Sequence, residues 1–177
     1  TADTFTFQVY GAPEDLTTKS YGYFKTPPGS TFPFEEGVVL TTGSAFPAGN
    51  TVNTTDLITS SNGDSGDSDL EAALGQSNTQ DATFIKFNFT PLVDAIDFRF
   101  IMASEEYDGN TECTYADSFA FLLREVGTSS YTNLAVLPDE TPVSVRNIND
   151  APDCRANTEY FEGYDVGNTN YGGRTKA

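Results

Sequence analysis

The chain has 177 residues, enough for one domain that buries roughly two-thirds of the surface its unfolded form would expose. It sets 9 Lys and Arg against 26 Asp and Glu, and the formal charge of -17 disfavours nucleic acid and anionic membrane surfaces and makes cations the natural partners. With 0 His it cannot build a Ser-His-Asp triad, a Cys-His dyad or a His-ligated zinc site.

Disorder is the bland reading of so acidic a chain, but 14 Phe and 9 Tyr argue for a packed interior. The two cysteines, Cys113 and Cys154, are too few for a zinc site and read as a disulfide, with two buried free thiols as the alternative. No apolar run approaches a membrane span, which argues against direct insertion in a bilayer. Thr1 opens directly on polar, strand-like sequence, as expected of a module excised from a longer chain.

Residues 4–9 alternate as a first strand, and Gly11, Pro13, Pro27, Pro28, Gly29 and Pro33 then punctuate an irregular stretch pinned by Tyr21, Tyr23, Phe24, Phe32 and Phe34. GVVLTTG at 37–43 is a short apolar strand suited to burial on both faces. The chain turns polar from Asn50 and reaches SSNGDSGDSDLEAALG, where Asp64, Asp67 and Asp69 are spaced by Gly and Ser. Small residues between oxygen donors let a backbone curl so that several oxygens converge on one calcium ion. The glycine position and the absence of flanking helices exclude an EF-hand. The alternative is a solvated turn with Asp69 capping a short helix at 70–74.

TFIKFNF at 83–89 alternates and is expected to pair with the next strand, which begins at Asp97. The stretch DFRFIMASEEYDGNTECTYADSFAFLLR, 97–124, then reads as strand, acidic loop, strand. Its loop carries Glu105, Glu106, Asp108, Glu112 and Asp117 with no Lys or Arg among them, so the carboxylates repel unless a cation screens them. Strands at 131–138 and 142–150 follow, joined by an Asp-Glu turn, and the Gly- and Tyr-rich tail holds one short strand at most. Seven to nine strands with long calcium-binding loops and very little helix imply an all-β protein, a β-sandwich forming a single domain over 1–177.

The metal candidates are Asp64, Asp67, Asp69, Glu105, Glu106, Asp108 and Asp117, with Asn149 and Asp150 closing a site from a neighbouring loop. Glu105 and Glu106 are adjacent, so on a strand they point to opposite faces and cannot serve as the acid and base of a glycosidase, and no other feature demands an enzyme.

FRFIMASEEYD followed by ADSFAFLL resembles the signature of the bacterial choice-of-anchor L domain. Blocks at GVVLTTG, GDSDLEAALG, ATFIKFNFTP and NLAVLPDETPVSVRNIN agree in order, as do CRANTEYFEGY and YGGRT near the end. Within that group the chain is most similar to the calcium-dependent peptide-binding domains of large RTX adhesins. The resemblance implies a β-rich monomeric module of a larger extracellular chain on the bacterial surface, with a role in adhesion and biofilms. It would bind several calcium ions and grip the C-terminal end of a protein or peptide on another cell.

The pocket expected from this places Ser104, Tyr107, Asp108 and Tyr115 around the ligand. Two departures stand out: the family usually continues with a further strand or two, and Ala116 occupies a position where many members have Asn. A calcium-dependent carbohydrate-binding module and a rigid calcium-stabilised spacer are the competing readings; the absence of Trp weighs against the first and the long loops against the second.

Overall fold

The structure, a computed structural model, describes residues 7–10, 20–45, 61–108, 111–164 and 171–177, the first of these as backbone alone. The start of the expected first strand at 4–6, the punctuation at Gly11 and Pro13, most of the polar stretch from Asn50, and tail residues 165–170 lie outside the described residues. Among the described residues there are nine strands and one α-helix, every strand pairing is antiparallel, and the architecture is all-β with little helix. Contacts gather the chain into two units, one of Thr1–Phe46, Ser60–Ser65 and Gln80–Phe100, the other of Pro47–Thr59, Gly66–Thr79 and Ile101–Ala177.

In the first unit, β1 (Phe7–Tyr10) pairs with β4 (Phe84–Phe87), and β2 (Tyr21–Lys25) pairs with β3 (Glu36–Leu40). Phe24 lies opposite Gly37, where a Cβ would come within 2.9 Å of the Phe24 ring, so the aromatic covers the glycine. Phe24, Phe32 and Phe34 meet edge to face with centroids 5.7 and 6.0 Å apart, and the Arg99 guanidinium stands 5.0 Å from the Phe34 centroid.

Two expectations need correction in this unit. The strand at 37–43 is covered on one face only, with Val38 59% exposed, because its partner is the single hairpin strand β2. Residues 83–89 pair with β1 rather than with the Asp97 segment, and 91–100 run without a ladder, leaving Leu92, Val93, Ile96 and Phe98 exposed. Alternation fixed an extended backbone there but named no partner.

The second unit opens with α1 (Ser68–Leu74), whose N-cap is Asp67 rather than Asp69: its carboxylate accepts the Leu70 N–H at 2.8 Å. Gly75 ends the helix in the left-handed region at φ 64°. Then come β5 (Ala103–Ser104), β6 (Leu122–Leu123), β7 (Thr132–Asn133), β8 (Phe161–Tyr164) and β9 (Gly173–Thr175). A three-stranded sheet has the order β5-β9-β8, so the tail supplies two strands where one at most was expected.

The segments 131–138 and 142–150 meet at a single bridge, Val136 to Pro142, with Glu140 at φ 69° in the turn between them, while Ser144 bridges to Ser118. Met102, Tyr107, Ala135, Leu137, Val143, Val145, Ile148, Ala151 and Phe161 fill the core of this unit. Burying one Val or Ile side chain is worth about 1.5–3 kcal/mol, so a handful of these residues outweighs the short ladders.

Candidate functional site

The acidic loop is anchored at both ends by one serine. Ser104, sealed from solvent by the β5–β9 pairing, donates its hydroxyl to Asp117 Oδ2 at 2.6 Å and accepts the Glu106 N–H at 3.0 Å. The last residue before the second arm is thereby tied to the first arm, and the carboxylates between them have to share one small space. Tyr107 turns inward at the first bend. Its ring packs 4.9 Å from Phe161, and it rests on Gly172 and Gly173, where a Cβ would stand 2.2 Å from the Tyr107 carbonyl oxygen and 2.7 Å from its Cβ. These two glycines are required by close approach, not by backbone angle.

Beyond Tyr107, Asp108 Oδ1 accepts the Thr111 N–H at 2.8 Å and Thr111 Oγ1 donates to the Glu106 carbonyl at 2.7 Å, closing a tight turn. The turn delivers Thr111–Cys113 as one 3-10 turn with Glu112 wholly buried. The Tyr164 hydroxyl bonds the Glu112 carboxylate and the backbone of Asp150; burial, then Glu112, push its pKa up to about 12. A disulfide joins Cys113 to Cys154 across Cα atoms 5.5 Å apart.

The electrostatics follow from this crowding. Burial first, and then the charges of Asp117 and Glu106, raise the Glu105 pKa above the usual carboxylate range. Glu106 is raised by burial and by Asp117, Asp108 and Glu112, against a lowering hydrogen bond from Thr111. Tyr107 is raised far above an ordinary phenol by burial, then by Glu112 and Asp117, and its buried hydroxyl has no hydrogen-bond partner among the described residues. Glu105 therefore senses Asp117 and Glu106, and Glu106 senses Asp117, Asp108 and Glu112.

The remaining sequence candidates are engaged as follows. Asp67 caps α1, and its neighbour Glu71 accepts the Thr79 N–H at 2.7 Å, so both carboxylates are engaged by the chain itself. Asp69 is exposed in the first turn of α1. Asp64 belongs to the first unit, where its backbone N–H meets Asn62 Oδ1 at 2.8 Å and its Oδ2 is buried without a hydrogen-bond partner among the described residues.

Asn149 is fully buried and shapes its own loop: its amide donates to the Val145 and Arg146 carbonyls at 3.1 and 3.0 Å, and its oxygen accepts the Ala151 N–H at 3.1 Å. Asp150 pairs with Arg155 at 2.6 Å on the surface. Of the four expected ligand contacts, Ser104 and Tyr107 are sealed inside, whereas Asp108 and Tyr115 face solvent. Sequence reasoning named Glu112 among the loop's carboxylates without choosing it as a site residue, and missed Tyr164, because no spacing pairs the tail with residue 112.

The donors suit a hard divalent cation: they are oxygens, they are anionic, and burial, with neighbouring carboxylates behind it, has already raised two of them. Among the described residues, however, no three His, Cys, Asp or Glu side chains stand within one coordination sphere. No described helix is long and apolar enough to cross a membrane.

No curated protein and no solved structure matches the chain. The family model described as the choice-of-anchor L domain matches residues 2–177, a name that points to a secreted or surface-anchored role rather than to catalysis. The chain belongs to the choice-of-anchor L domain family.

Proposed function

We propose that this chain is a calcium-dependent adhesion module of the RTX-adhesin kind, a β-sandwich with long loops that binds the C-terminal carboxylate of a peptide or protein on a host or partner cell. Family membership supports the surface role. The observation that carries the calcium reading is the crowding of Glu105, Glu106, Asp108 and Asp117 in one loop, where two of the carboxylates are held above their usual range. Those four would hold the ion, and the reading requires the loop to draw them together around it. Bound calcium would supply a positive centre, with exchangeable water positions, at which a carboxylate can dock.

Tyr115, 57% exposed, is the ring available to pack the ligand's last side chain, and Asp108 is exposed in the same loop. A free chain end alone offers an α-carboxylate beside backbone amides, so the module would distinguish termini from internal copies of the same residues.

The test is a library of short peptides differing in their terminal residue, offered as free acids and as C-terminal amides, in calcium and in EGTA. Binding should require the free acid and calcium together, and Asp108→Ala should weaken it more than Asp150→Ala. Equal affinity for acid and amide forms would overturn the mechanism. A glycan array run in parallel would, if it alone gave binding, put the sugar-binding module in first place.

A further inference from the structure

The Cys113–Cys154 disulfide joins two segments of opposite character. On one side, the described residues of 105–115 make backbone bonds that close turns within the segment: Asp108 N–H to Glu106 O, and Thr114 and Tyr115 N–H to Thr111 O. This segment carries Glu112, a fully buried carboxylate adjacent to Cys113, and Glu112 in turn adds to the repulsion felt by Glu106 and Tyr107. By moving into water, a buried carboxylate among other carboxylates gains solvation and loses repulsion, at the cost here of its bond to the Tyr164 hydroxyl. On the other side, Cys154 closes a turn on Ala151 within a rigid base, where Ile148, Asn149 and Ala151 are buried and Asn149 is bonded to Val145, Arg146 and Ala151.

We propose that this disulfide is a latch that holds Glu112 inside, so that opening it releases 111–115 while the core of the second unit, Tyr107 included, stays folded. In the opening step a dithiol attacks the Cys113–Cys154 bond; that bond breaks, both cysteines leave as thiols, and the dithiol closes to its own disulfide, giving up two electrons and two protons. The corollary is regulatory: the acidic cluster is assembled only where cysteines oxidise and is dismantled in a reducing compartment. The inference does not rest on calcium binding, because it concerns the chain alone.

The experiment is amide hydrogen exchange in EGTA on the oxidised protein, on the protein reduced by a dithiol and alkylated, and on the Cys113→Ala/Cys154→Ala variant. Exchange should accelerate by about tenfold or more in 111–115 in both opened forms, while 134–137 and 143–148 keep their protection. Acceleration everywhere would make the disulfide a global staple and overturn the proposal, as would no acceleration in 111–115. Glu112→Gln in the opened background should restore protection of 111–115 at least in part. If it does not, the carboxylate is not what drives the segment out.

Discussion

A Cβ on Gly172 would lie 2.2 Å from the carbonyl oxygen of Tyr107, so the tail and the acidic loop are in backbone-to-backbone contact with no room for a methyl group. Gly172→Ala must push the loop off the sheet, a displacement of the overpacking kind that costs about 1–3 kcal/mol. Denaturant titration should show that loss, with binding of any loop ligand weakened alongside. An Ala variant as stable as the wild type would mean the loop rides free of β9.

Calcium should stabilise the protein. At a hundredfold excess over Kd a ligand that binds only the folded form adds about 2.7 kcal/mol, roughly 5–10 °C in Tm for a chain of this size. Magnesium should do much less, because it demands a small octahedral cage. Coincident melting curves in EGTA and in millimolar calcium would remove the ion from the account.

The raised Glu105 pKa gives a signed pH prediction. An acid whose folded pKa lies above its unfolded value binds more protons when folded, so its contribution to stability is favourable at low pH. That contribution is lost as pH rises from the ordinary glutamate value of about 4.5 through the higher folded one. In EGTA, Glu105→Gln should therefore match the wild type in Tm near pH 4 and exceed it at pH 7. A difference that does not change with pH would show that the crowding is not felt as charge.

Asp67 and Asp69 look interchangeable in the sequence, yet only Asp67 caps α1. Asp67→Ala should cost about 1 kcal/mol by loss of the bond to Leu70 N–H, and Asp69→Ala, at an exposed first-turn position, only a few tenths. Reversal of that order in thermal unfolding would refute the assignment.

These outcomes also mark where the sequence was legible. Period-two alternation in 83–89, the short helix at 70–74 and the Asp-Glu turn before Pro142 are local signals, and each appears as strand, helix or turn. The all-β architecture followed from them. The segment 97–102 carried the same alternation and yet has no ladder, because pattern specifies which face of a strand is buried and not which edge it meets.

The carboxylates of 105–117 were legible as a group because they crowd in sequence. The burial of Glu112 was not, since it depends on Tyr164 in a tail strand reached by a long-range pairing. Asn149 was legible only as an oxygen donor: an amide that can ligate a metal can equally close its own loop, and its bonds to the carbonyls of Val145 and Arg146 come from the fold.

The bond from Ser104 to Asp117 has a consequence for how such a module diversifies. Because the neck is closed by those two side chains and by β5 against β9, what lies between 105 and 116 is a cassette whose ends are fixed a hydrogen bond apart. A related chain can alter the contents, the number of acids, the exposed ring at Tyr115 or the length of the turn, without re-registering a single strand. Recognition can therefore drift quickly while the scaffold stands still, and two such modules with different ligands should remain superposable at the neck.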